Sequence, residues 1–79
     1  MINQNELILK IEEALELPKN TINNDSSSEN IEKWDSLGQL AILSALDELF
    51  DGAIADIPEI ANSYSVKSIL DILKNNKLI

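Results

Sequence analysis

The sequence predicts an all-α fold, a bundle of three to four short helices with one long loop between the first and second. Three features predict it. Apolar residues recur at helical spacing in separate stretches, no strand-like alternation of useful length interrupts them, and 79 residues leave room for a single domain over 1–79. A chain of this length buries roughly 60–65% of the surface that its unfolded form exposes, enough for one core.

The first helix is expected over about 5–17. Leu7, Ile8, Ile11, Ala14 and Leu15 form its apolar stripe, with Glu12, Glu13 and Glu16 on the other side. Asn3 with Glu6 three positions later resembles a capping box at its start. Pro18 biases Leu17 away from helical dihedrals and marks the end. The loop 18–35 is polar, rich in Asn and Ser, and only Ile22, Ile31 and Trp34 stand out as anchors. Long loops in small domains are uncommon and are usually functional or mobile.

The second helix, over about 36–51, carries the strongest signal. Asp35 is a good N-cap, and Gly52 marks the end. At about 100° per residue, Ile42, Leu43, Ala45, Leu46, Leu49 and Phe50 gather on one broad side. Leu37, Leu40 and Ala41 fall opposite, beside Ser44, Asp47, Glu48 and Asp51. Pro58 suits the first turn of a short third helix over about 58–61. Ser65 then caps a last helix over about 66–75, with Val66, Ile69, Leu70 and Leu73 at helical spacing.

Composition narrows the chemistry. There is no Cys, His or Arg, so disulfides, thiolate or imidazole nucleophiles and zinc-thiolate sites are ruled out. No catalytic residues are assigned and an enzyme is not expected. Fourteen acidic residues against six lysines give a net charge of −8. Such a chain is repelled by nucleic-acid phosphates and anionic membrane surfaces, and attracted to basic protein patches. The N-terminal stretch from Met1 to Glu6 has no basic region, and no apolar run is long enough to span a bilayer. A monomeric cytoplasmic protein is expected. Neither loop segment that approaches an EF-hand carries its ligands: Asn30 and Ser36 fail in one, Leu49 and Pro58 in the other. No metal site is expected.

Two features converge on the second helix. Six acidic residues (Asp35, Asp47, Glu48, Asp51, Asp56, Glu59) and no Lys lie between Trp34 and Val66. The same helix opens with Asp35-Ser36-Leu37, a hydroxyl at a helix N-terminus that follows a long polar loop.

With Trp34-Asp35-Ser36-Leu37-Gly38-Gln39-Leu40 in that position, Phe50-Asp51 closing the helix and Ser65-Val66 opening the last one, the chain resembles the acyl carrier protein family over nearly its whole length. The resemblance implies that a phosphopantetheinyl transferase moves 4′-phosphopantetheine from coenzyme A onto Ser36. Acyl or aminoacyl groups would then ride as thioesters on the arm's terminal thiol. It implies that Asp35 helps position Ser36 and the transferase's magnesium ion. Leu37, Leu40, Ala41, Asp47, Glu48 and Asp51 would form the docking face for loading ligases and downstream enzymes with basic patches. In some family members the core admits the acyl chain. Gly38 and Ala41 stand where many fatty-acid carriers have acidic residues, and Lys33-Trp34-Asp35 replaces the Gly-Gly-x of peptidyl carriers. Those departures point to a dedicated pathway carrier. Gly38 is also expected to weaken the first helical turn by roughly 0.5–1 kcal/mol relative to Ala.

The same residues admit a second reading, an acidic helical interaction module with this fold that is never modified.

Overall fold

The computed structural model describes residues 2–79, so Met1, the start of the stretch read for a leader, lies outside the described residues. Among the described residues the chain is all-α, with three α-helices, two 3₁₀ turns and no strand. None of these helices is long and apolar enough to cross a membrane.

Helix α1 runs Gln4–Ala14, and the Asn3 carboxamide oxygen accepts from the Glu6 amide at 2.9 Å. Leu7 and Ile11 are fully buried and Leu15 nearly so. The helix stops before Leu17 because Glu16 adopts a left-handed conformation, φ 57°. That turn lets the Leu17 amide reach back to the Glu12 carbonyl (2.9 Å) and the Glu16 amide to Glu13 (3.1 Å). This is a Schellman closure, complete before Pro18 exerts its own restriction.

Helices α2 (Ser36–Leu49) and α3 (Val66–Asn75) end the same way. Asp51 (φ 54°) and Lys77 (φ 59°) occupy the left-handed position. The amides of Gly52 and Leu78 then reach back to the Asp47 and Leu73 carbonyls, at 2.7 and 2.9 Å. Gly52 therefore lies one residue beyond the stop that its glycine signals, and α2 ends two residues earlier than expected, at Leu49. None of the three left-handed positions is a glycine, although glycine is the residue that takes them without a Cβ penalty.

Between α2 and α3 the chain forms two 3₁₀ turns, Ala53–Asp56 and Pro58–Asn62. The first was not foreseen from the sequence. The Asp47 carboxylate accepts from the Ala55 amide (3.2 Å) and ties it to α2. Ser65 caps α3 through its hydroxyl oxygen, which accepts from the Ser68 amide at 3.1 Å.

The core draws on every element: Leu7, Ile11, Trp34, Ile42, Leu46, Ile60, Val66, Ile69 and Leu73 are almost wholly removed from water, and Ile54 of the first 3₁₀ turn is nearly so. The long loop is pinned to this core by more than its apolar residues. Glu12, expected on the solvent side of α1, is buried, because the loop folds back over it. One carboxylate oxygen, Oε2, accepts from the amides of Thr21 and Ile22, both at 2.9 Å. Farther along, the Ser28 amide donates to the Tyr64 carbonyl (2.9 Å) and the Val66 amide to the Ser26 carbonyl (3.0 Å), making an isolated antiparallel bridge between Ser27 and Ser65.

Candidate functional site

The N-terminal turn of α2 is built by its neighbours in sequence. Asp35 adopts extended backbone as N-cap, and its Oδ1 accepts from the Gly38 amide at 2.8 Å. The Gln39 amide bonds the Asp35 carbonyl, also at 2.8 Å. The amides of Ser36 and Leu37 belong to the set that helical geometry leaves without an intrahelical partner. Ser36 is the first helical residue and is exposed, as is Asp35.

Gly38 has a reason that the sequence did not disclose. A methyl group in its place would overlap the Lys33 carbonyl oxygen and lie 2.8 Å from a Leu15 methyl. The last residues of the loop and the end of α1 therefore press against the first turn of α2. The expectation that Gly38 merely loosens that turn is reversed: alanine would gain helix propensity but force the backbone of Lys33 away.

Along the outward arc of α2 the structure places Ser36, Leu37, Leu40, Ser44 and Glu48, with Asp51 just past the helix end, all exposed. Leu37 and Leu40 are the most exposed large apolar residues among the described residues, at 78% and 63%. Ala41 and Asp47 flank this arc and are half-buried. Ala41 faces a groove shared with Ala14 and Leu15 of α1. Asp47 faces the 3₁₀ turns, where its carboxylate is already engaged by Ala55. The strip read from the sequence is thus a narrower line of two leucines and two free carboxylates, with Ala41 and Asp47 at its margins.

Directly inside this turn lies a residue that sequence reasoning passed over. Gln39 is buried, only 3% exposed. Its Oε1 accepts from the Trp34 indole Nε1 at 2.7 Å. Its Nε2 shares two protons among the carbonyls of Ser63 (3.0 Å), Ala61 (3.2 Å) and Ile60 (3.4 Å). One side chain thus joins the end of the loop, the start of α2 and the segment leading into α3. A signal was available: Gln39 falls within the apolar arc of α2, between Ile42, Leu43 and Leu46, where a polar residue requires partners.

Comparison with protein-family models, with curated proteins and with solved structures finds no match to this chain.

Proposed function

We propose that the chain is an acyl carrier protein, a cytoplasmic monomer that carries acyl or aminoacyl groups as thioesters on a 4′-phosphopantetheine arm attached to Ser36. The observation that carries this reading is the exposed Ser36 at the first position of α2, preceded by the capping Asp35 and bordered by exposed Leu37 and Leu40. The chain has no thiol of its own, so a thioester requires an imported one.

The residues present suit the group. A phosphodiester on Ser36 would lie beside the free amides of the helix start, where the dipole favours an anion by roughly 0.3–1 kcal/mol. In the transfer, a bond forms between Ser36 Oγ and the phosphorus that carries the pantetheine, and the pyrophosphate bond of coenzyme A breaks. Adenosine 3′,5′-bisphosphate leaves, and the serine proton passes to a base of the transferase. Ser36 is an attachment point, so it needs no base of its own, and Asp35 holds the turn that presents it. Leu37, Leu40, Glu48 and Asp51 would meet an apolar patch ringed by Lys or Arg on each partner, with Ala41 and Asp47 completing its edges.

Intact mass after incubation with coenzyme A, magnesium and a permissive transferase tests the proposal. A gain of one phosphopantetheine, absent in Ser36→Ala, is expected. An unchanged mass in the parent would sink it in favour of the unmodified interaction module, which the exposed leucines and carboxylates of α2 would equally serve.

A further inference from the structure

The cargo follows from what lies beneath the attachment point. A group tethered at Ser36 could enter the core along the seam between α2 and the second 3₁₀ turn only by parting the two elements, which pack against each other. Gln39 occupies that seam one turn below Ser36, bonded on one side to Trp34 and on the other to the carbonyls of Ile60, Ala61 and Ser63. Trp34, Ile42, Leu46 and Ile69 belong to the same core and are each 1% exposed or less.

We infer that Gln39 bolts the interior shut beneath Ser36, so that this chain carries its cargo outside the core, as suits short or polar acyl and aminoacyl groups and not a long alkyl chain. The inference rests on the carrier reading. An alkyl chain that displaced Gln39 would offer neither a donor to the carbonyls of Ala61 and Ser63 nor an acceptor to the Trp34 indole, leaving those three groups without that partner, while the Ile60 carbonyl keeps only the Ser63 amide. The bolt cannot slide easily, because every polar atom of its amide is engaged and both ends are held by backbone or by a buried ring.

A short polar cargo loses nothing by staying in water, whereas a long chain left outside exposes its apolar surface. The cleft of about 330 Å³ between α2 and the 3₁₀ turns, bordered by Leu43, Asp47, Ile54 and Pro58, begins two turns along α2 from Ser36 and opens to solvent. It borders the bolt, sharing Ile60 and Ala61 with it, and is a groove open to solvent, not an interior compartment.

The test transfers acetyl- and octanoyl-phosphopantetheine from the corresponding acyl-coenzyme A to the full chain and checks each product by intact mass. Methyl resonances of Ile42, Leu46 and Ile69 and the Trp34 indole proton are then compared. The expected result is that these signals coincide in the two forms and that both melt at the same temperature. Gln39→Ala, with Gln39→Leu as a second variant that keeps the volume, is expected to separate the two forms in core shifts and to melt higher with octanoyl than with acetyl. Octanoyl-dependent shifts of those core methyls in the parent would overturn the inference while leaving the carrier reading intact. So would variants that respond no more than the parent. A chain that gains no mass removes the carrier reading and the inference together.

Discussion

Two polar side chains, Glu12 on α1 and Gln39 on α2, are equally hidden, each only 3% exposed, and they are not equally served. Every polar atom of Gln39 has a partner, from the Trp34 indole to three backbone carbonyls. Glu12 uses one oxygen for two loop amides, and its other oxygen, Oε1, is buried without a partner. A neutral amide brings both a donor and an acceptor, so fixed backbone on either side can saturate it. A carboxylate only accepts, and α1 supplies no spare donors to its second oxygen. The fully satisfied residue sits beneath the candidate site; the half-satisfied one holds the loop, where local opening costs less.

Exchanging the two chemistries is the sharpest way to break this contrast. Gln39→Glu sets a carboxylate against three carbonyl oxygens in a dry interior and is expected to cost about 4 kcal/mol, a large share of the stability of a small domain. Denaturant titration followed by circular dichroism measures it, and a loss below about 1 kcal/mol would show that the network is dispensable. Gly38→Ala tests whether the turn around Gln39 is as tightly backed as the packing implies. It is expected to lower stability by about 2 kcal/mol, lowering the melting temperature by roughly 8–16 °C in a domain of this size. A stabilised variant would restore the simple propensity argument.

On the other side of the contrast, Glu12→Ala is expected to cost about 1–2 kcal/mol through the orphaned Thr21 and Ile22 amides. Glu12→Gln keeps an acceptor for them and removes the buried charge, so it should change stability by less than about 1 kcal/mol. If the two variants lose the same amount, the hydrogen bonds to the loop contribute nothing. Glu16→Gly, at the left-handed end of α1, is expected to gain about 1 kcal/mol, read as a higher midpoint at unchanged denaturant dependence. Raising ionic strength should give the smallest effect, a rise of a few degrees in melting temperature. Eight uncompensated negative charges repel one another, and the Lys67–Asp25 pair, at 3.1 Å, is too exposed to offset them.

The helical class and the caps at Asn3, Asp35 and Ser65 were legible because apolar spacing and short polar side chains act locally. The outward arc of α2 was legible for the same reason. What sequence reasoning missed depends on segments distant in the chain. Glu12 reads as a surface residue until the loop returns over it. Gly38 reads as a weakness until Lys33 and Leu15 arrive beside it. The helix ends ran short because left-handed closure by Glu16 and Asp51 carries no glycine signature. At the candidate site, the spacing placed Ser36 at a helix start; that it stands over a filled interior came only with the contacts of Gln39.

The bridge between Ser27 and Ser65 has a consequence for how the chain is knotted into shape. Fastened near its midpoint to the threshold of α3, the long connection behaves as two short spans, each closing at a lower entropic cost than the whole would. Each span can then lengthen, shorten or be nicked without the other coming undone. The stretch that runs from the fastening to Trp34 is the one whose length fixes where Ser36 stands.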